Sequence, residues 1–212
     1  ANNLPGALSV IAIAEKDKLF KAPETYMEKI STKTKEKNVV DLDYSVKKNI
    51  FNLCEYLNKQ PEDLTACILD RPRHKTIIND LKKLKVSLKL ITDGDVSGAL
   101  LISDEKYNVD IFLGIGGGPE GVLAAAALDA FDCNFQGRFI FKSDEEKMRA
   151  KKMGINNFTK KYKLNEIVSG DSIFCATGIT SGDLVSGIEI QGNEFISETL
   201  VTHKSSGLKK VL

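Results

Sequence analysis

Asp110-Ile-Phe-Leu-Gly-Ile-Gly-Gly-Gly-Pro-Glu-Gly121, followed by the alanine-rich run Val122–Phe131, is the stretch that decides the fold. Asp110–Leu113 has strand character, Gly114–Gly121 reads as a turn, and a helix follows without a break. A strand that turns through glycines into a helix is the unit from which α/β sheets are built. The glycines let backbone approach a ligand, and the helix beyond them points its first N–H groups at any anion placed there. Pro119 suits the first helical turn, where no N–H is needed. Gly114-Ile-Gly116 begins like a dinucleotide fingerprint, but Pro119 stands where its last glycine belongs, and no acidic residue is set to meet a ribose. A tight strand-to-helix turn with no ligand fits the glycines as well.

The same rhythm extends on both sides. Upstream, Val46, Ile50, Phe51, Cys54 and Leu57 follow helical spacing behind two candidate caps, Asp43 and Ser45. Thr65–Leu69 is a short strand ending at Asp70-Arg-Pro-Arg-His74, Lys75–Lys83 a helix, and Val86–Ile91 a strand ending at Thr92-Asp-Gly-Asp95. Downstream, Gly137–Phe141 is a strand and Asp144–Met153 a charged helix. The spacing predicts an α/β fold with a mostly parallel sheet covered by helices on both faces. Nearer the N-terminus, Ala7–Ile13 reads as a buried strand forming a hairpin with Leu19–Phe20, and Lys29–Lys37 as a solvated loop.

In open parallel sheets ligands bind beyond the carboxyl ends of the strands. Three polar strand ends, Asp70–His74, Asp93–Asp95 and Gly114–Gly121, should therefore share one crevice. Arg71 and Arg73, one proline apart across Pro72, could grip a phosphate bidentately or be surface arginines. Asp93 and Asp95 flank Gly94 and offer acceptors for a metal, sugar hydroxyls or water, though Asp-Gly is also ordinary turn chemistry. Glu120 can ligate a divalent cation or simply favour its helix dipole. Tyr26, in Pro23-Glu-Thr-Tyr-Met-Glu28, could pack a sugar ring and hydrogen-bond a phosphate. His74 should only start a helix. Cys175-Ala-Thr-Gly-Ile-Thr180 should be a strand-end turn near the crevice, with no chemistry of its own.

Composition narrows the classes. The 212 residues are 42% hydrophobic and 28% charged, which suits a folded core and excludes a disordered chain. Thirty Lys+Arg against 29 Asp+Glu leave a net charge of +1, so no global field draws nucleic acid or an anionic membrane. No apolar run is long enough to span a bilayer, and the N-terminus shows no leader pattern. Cys54, Cys67, Cys133 and Cys175 lie far apart, as reduced buried thiols of a cytoplasmic protein would. With only His74 and His203, no Ser–His–Asp or Cys–His set stands out.

Taken in order, Pro23–Glu28, Asp70-Arg-Pro-Arg-His74, Asp93-Gly-Asp95, Gly114–Val122, Gln136-Gly-Arg138 and Ala176-Thr-Gly-Ile-Thr180 resemble class II fructose-1,6-bisphosphatases of the bacterial type along essentially the whole chain. The resemblance implies a cytoplasmic sugar phosphatase with the inositol-monophosphatase-like fold. It would use Mn²⁺ or Mg²⁺ to convert fructose 1,6-bisphosphate to fructose 6-phosphate in gluconeogenesis and glycerol metabolism, as a dimer or tetramer. It puts substrate contacts at Tyr26, Arg71, Pro72, Arg73, Asp93, Gly94, Asp95 and Gly117, and a metal ligand at Glu120. Family motifs carrying the other metal ligands and a catalytic threonine do not occur here, and the resemblance places them upstream of Ala1. It therefore implies the C-terminal part of a longer enzyme, inactive alone, with no catalytic residue on this chain. Residues 1–40 would end a first, metal-binding domain. Residues 41–212 would form the substrate-binding domain, its last strands returning toward the first. A non-catalytic sugar-phosphate-binding module is the alternative.

Overall fold

The computed structural model describes residues 5–34 and 36–212. Residues 1–4 and Lys35 of the Lys/Thr-rich run lie outside the described residues. Ala1, the residue upstream of which the catalytic groups are expected, is thus among those the structure does not describe, and that expectation is not met or refuted by the fold. In chain order the elements are β1 (Leu8–Ala14), β2 (Tyr26–Thr32), α1 (Val46–Leu57), β3 (Thr65–Leu69), α2 (Lys75–Lys83), β4 (Ser87–Ile91), α3 (Asp95–Leu100), β5 (Ile111–Gly117), α4 (Gly118–Asp129), β6 (Asn134–Ile140), α5 (Asp144–Lys152), β7 (Tyr162–Lys163), α6 (Leu164–Ile167), β8 (Ser172–Gly178), β9 (Glu189–Gln191), β10 (Glu194–Ile196), β11 (Thr199–His203) and β12 (Leu208–Val211).

Local chemistry explains the helix ends. Ser45, rather than Asp43, caps α1 by accepting from the Lys48 N–H at 3.2 Å, and Asn58 closes it in the left-handed conformation. Ser143 caps α5, which carries three acids in its first turn and three bases in its last, as the helix dipole favours.

Six strands form a sheet in the order β4-β3-β5-β2-β6-β7. It is mixed, not mostly parallel. β3 runs parallel to β4 and β5, whereas β2 is antiparallel to both β5 and β6, and β7 is antiparallel to β6. The strand–helix–strand units read from the sequence are present, but the crossover through α4 leaves a gap between β5 and β6, and β2 fills it. That placement corrects the solvated loop expected from Lys29: Lys29, Ser31 and Thr32 are strand residues no more than 1% exposed. It also sets β2, from the N-terminal forty residues, at the middle of the large sheet.

A second, antiparallel sheet has the order β1-β8-β11-β12, and β9 and β10 form a separate hairpin. β1 pairs with β8 along its length, so the expected hairpin with Leu19–Phe20 does not form. Leu19 bridges Val168 instead, and Phe20 joins an aromatic cluster, 4.8 Å from Tyr162 and 5.8 Å from Phe139 between ring centroids.

Side-chain alternation divides the core. Ile30, Ile111 and Leu113 pack with α1 and α2 on one face of the large sheet. Met27, Phe112 and Phe135 pack with α3 and α4 on the other, and this second core continues to Phe174, Ala176 and Leu200 of the antiparallel sheet. α4 lies between the two sheets, which is why it is apolar on every side. Cys54, Cys67 and Cys133 are buried free thiols, and burial pushes those of Cys67 and Cys133 up to about 12. Cys175 is free but only half-buried, because its side of β8 faces away from that core.

Candidate functional site

The glycine run is not a loop. Strand pairing continues to Gly117, opposite Tyr26, and α4 begins at Gly118. Two of its glycines are required by what lies against them. A Cβ on Gly116 would stand 1.6 Å from Asp95 Oδ2, and one on Gly117 would stand 1.8 Å from Glu120 Oε2. Each glycine gives up its side-chain space to a carboxylate, a reason that the strand-to-helix turn alone does not supply.

The two carboxylates arrive from helix starts. Gly94, with φ +92°, turns the chain into α3, whose first residue is Asp95. Glu120 lies in the first turn of α4 and is exposed. Asp95 is buried and bonds through Oδ2 to the ammonium of Lys29, itself 1% exposed, while Asp95 Oδ1 is buried without a partner. Burial draws the Lys29 ammonium below the ordinary lysine value, and the adjacent Asp95, with Glu120 farther off, opposes that shift.

Around the end of β5 the cations gather. Arg73 Nε donates to the Ile115 carbonyl at 2.8 Å, and its guanidinium stands 5.2 Å from the centroid of the Tyr26 ring. The Lys142 ammonium is 4.2 Å from the same centroid. Directly after Arg73, His74 is fully buried, with Nε2 accepting from the Ile115 N–H at 2.8 Å. Its Nδ1 therefore carries the proton and donates to the Leu69 carbonyl at 2.7 Å. Burial holds the imidazole below its ordinary value, so it stays neutral. His74 thus pins β5 to the end of β3, more than the helix start read from the sequence.

Tyr26, Arg73, Gly117, Asp95 and Glu120 meet at one end of the large sheet. Arg71 and Asp93 form their own exposed pair at 3.8 Å, so the two arginines take different partners. Pro72, between them, opens the short 3₁₀ turn that carries Arg73 and His74. Asp93 also borders a cleft of about 290 Å³ that Gly182–Val185 line from the segment after β8, whereas Cys175–Gly178, expected as a strand-end turn, lie within β8 itself. Gln136 and Arg138 tie the 40–43 segment to β6: Gln136 Nε2 donates to the Val40 carbonyl at 3.1 Å, and Arg138 bonds Glu28 at 2.8 Å and Asp43 at 2.6 Å.

Sequence reasoning missed Lys29 and Lys142. Neither carries a local signal: once Tyr26–Thr32 is known to be a strand, its pleat puts Lys29 on the face of Met27, but the sequence of that stretch does not show the strand. Among the described residues no three His, Cys, Asp or Glu side chains are grouped to hold a metal ion, so Glu120 offers one ligand and not a site.

Carboxylates, a guanidinium and an ammonium group thus gather where β5 runs into α4, at one end of the mixed sheet of an α/β protein. The chain belongs to the family described as bacterial fructose-1,6-bisphosphatase, glpX-encoded, whose model matches residues 1–212. It is 37% identical over 214 residues to a D-fructose 1,6-bisphosphatase class 2/sedoheptulose 1,7-bisphosphatase of Synechococcus sp. (strain JA-3-3Ab), covering 95% of this chain and 62% of that protein. Identity is also 37% over 220 residues to the fructose-1,6-bisphosphatase class 2 of Haemophilus influenzae, covering 97% of this chain and 66% of that protein. The chain thus spans less than two thirds of the length of these relatives. Among the described residues, no helix is long and apolar enough to cross a membrane.

Proposed function

We propose that this chain carries the substrate-binding part of a cytoplasmic enzyme that hydrolyses the 1-phosphate of fructose 1,6-bisphosphate, releasing fructose 6-phosphate and phosphate in gluconeogenesis. The observation that carries the reading is the pair of carboxylates seated on Gly116 and Gly117, with Arg73 and Tyr26 beside them. Arg73 and Tyr26 hold one phosphate, with Arg71 in reserve at the rim through its loose pair with Asp93. Asp93 and Asp95 accept sugar hydroxyls, and the first turn of α4 beyond Gly118, whose own N–H is held by the Thr25 carbonyl at 2.8 Å, faces the other anionic end. These contacts position the substrate and exclude its misplacement, which is where much of the rate of phosphoryl transfer originates.

Mn²⁺ or Mg²⁺, when bound, supplies Lewis-acid polarisation of the phosphate and an acidified water. Glu120 would contribute one oxygen to it, the other ligands coming, with the catalytic threonine, from upstream of Ala1 and so from outside the described residues. An inositol-monophosphatase-like arrangement and assembly as a homo-oligomer belong to the same reading, in which a boundary at residue 40 would part β2 from the β5 and β6 strands that it pairs with.

Calorimetric titration of the chain with fructose 1,6-bisphosphate, fructose 6-phosphate and phosphate tests the binding half of this reading. The bisphosphate should bind most tightly, and equal affinity for inorganic phosphate alone would overturn it. For the hydrolytic half, Glu120→Gln in the active enzyme should lower kcat about a hundredfold, with partial recovery at high Mn²⁺. Binding of the bisphosphate with no phosphate release by the enzyme under any divalent ion would reduce the protein to a sugar-phosphate-binding module.

A further inference from the structure

Among the described residues Lys29 is the one buried lysine, and it lies in the middle strand of the large sheet. Its stem is wedged under the first turn of α4: a Cβ on Gly121 would stand 3.0 Å from Lys29 Cε. Its ammonium holds Asp95 Oδ2, and it lies within the electrostatic reach of Glu120 and of Arg73. A buried ion pair rarely adds stability over an apolar pair of the same size, so stability alone gives little reason for a lysine here. What the cation does accomplish is geometric. Asp95 and Glu120 are like charges seated over successive glycines, and a fixed positive charge bonded to the first and attracted by the second offsets their repulsion. Asp95, anchored by one oxygen, keeps the other, Oδ1, without any partner in the protein. A buried unpaired acceptor costs free energy unless a ligand donor meets it.

We propose that Lys29 is a positioning residue of this site, clamping the Asp95 carboxylate onto Gly116 so that Oδ1 stays available to a ligand hydroxyl, without touching the ligand itself. The inference rests on the sugar-phosphate reading above. Its own content is the dependence of Asp95 on Lys29.

Crystal structures of Lys29→Met and, should that variant not fold, of the neutral Lys29→Gln give the first test. The Asp95 carboxylate should leave Gly116 by about 1 Å or more, a displacement of the size that costs up to about a hundredfold in activity. The second test is affinity for fructose 1,6-bisphosphate, measured directly. Lys29→Met should weaken it about tenfold or more, and that penalty should vanish in an Asp95→Asn background, because the lysine acts through the aspartate. Penalties that simply add would put Lys29 in contact with the ligand. An unmoved Asp95 with unchanged affinity and only a lower melting temperature would leave it a structural residue. Either result overturns the proposal. If the unaltered protein fails to bind the bisphosphate, the functional reading falls, and the crystal structures still decide whether Lys29 fixes Asp95.

Discussion

α4 is shared by two sheets that use it differently. The six-stranded sheet is covered on both faces, by α1 and α2 on one side and by α3 and α4 on the other. The four-stranded sheet packs its inner face on α4 and leaves Ile11 and Ile13 of β1 more than half exposed, with Ile173 beside them at 40%. The consequence is electrostatic. At the end of the covered sheet, Lys29 and Asp95 interact away from water, where attraction is strong and desolvation severe. On the open sheet, His203 and Asp171 pair at 2.7 Å while partly exposed, in a setting where solvent screens them. The difference explains why the candidate site sits where it does: a sheet covered on both faces can hold charged groups at fixed spacing, and a sheet covered on one face cannot do so as firmly.

The contrast is tested most severely by putting the same methyl group in both places. Gly116→Ala drives a Cβ into the Asp95 carboxylate, whereas Gly178→Ala in β8 drives one to 2.0 Å from the Ser186 carbonyl oxygen. The first should lower kcat/KM of the active enzyme about a hundredfold with a smaller effect on melting, since a displaced carboxylate is chiefly a functional loss. The second should cost about 1–3 kcal/mol of stability, because backbone must move, and leave bisphosphate affinity per folded molecule unchanged. Thermal melts and bisphosphate titrations of both variants separate the outcomes. If Gly178→Ala also abolishes binding, the two sheets are not independent in function.

The next effect is smaller. Arg73→Ala removes a guanidinium held by the Ile115 carbonyl and facing Tyr26. If it meets a phosphate, affinity for the bisphosphate should drop by about 1.5–3 kcal/mol, with KM rising more than kcat falls. Arg71→Ala, whose side chain instead faces Asp93, should cost less. Equal losses for the two would return them to a single symmetric clamp.

What the sequence made legible follows from the range of each interaction. A cap at Asp43 or Ser45, the strand before Gly114 and the apolar character of α4 are local, and they were readable, the choice of Ser45 being left to the structure. The meeting of Asp95, Glu120 and the glycines at the end of β5 was readable too, because strand ends of the α/β units announce themselves by glycine and charge. β2 was not. Its seven residues pair with β5 and β6, far along the chain, and its lysine is neutralised by an aspartate 66 residues away, so locally it looks like a charged loop. The same distance hid the pairing of β1 with β8 in favour of a nearby hairpin. Contacts between remote segments decide such placements against local propensity.

A pH experiment probes the covered side without altering ligand contacts. His74 is buried and neutral, its value lowered from 6.5 mainly by burial, with Arg73 acting in the same sense and the Leu69 and Ile115 hydrogen bonds and Asp95 opposing. The unfolded chain takes up a proton as pH falls through about 6.5, and the folded chain does not until a lower pH. Stability from this group is therefore complete above about 6.5 and is lost progressively below it, down to the depressed native value. Urea midpoints between about pH 7.5 and 5 should decline, and His74→Gln should flatten that decline. The carboxyls held low by hydrogen bonds, such as Glu146 and Glu166, titrate further down and so do not confuse the window.

The smallest effect belongs to the open side. Ile13 is 56% exposed on the outer face of β1, opposite Ile173 in the pairing register, while Phe174 beside it points inward and is fully buried. In the chain as a monomer, Ile13→Thr should change stability by no more than about 0.5 kcal/mol, because threonine keeps β-branching and little apolar area is lost. Phe174→Ala, one residue along and on the opposite face, should cost about 3–5 kcal/mol. Denaturant melts at several protein concentrations decide between a bare face and a covered one. A large, concentration-dependent loss in Ile13→Thr would mean that the outer face is buried against another surface in solution. The contrast between the two sheets would then describe the lone chain but not its assembled state, since a covered outer face would give the small sheet the same shelter from water that lets the large one hold Lys29 and Asp95.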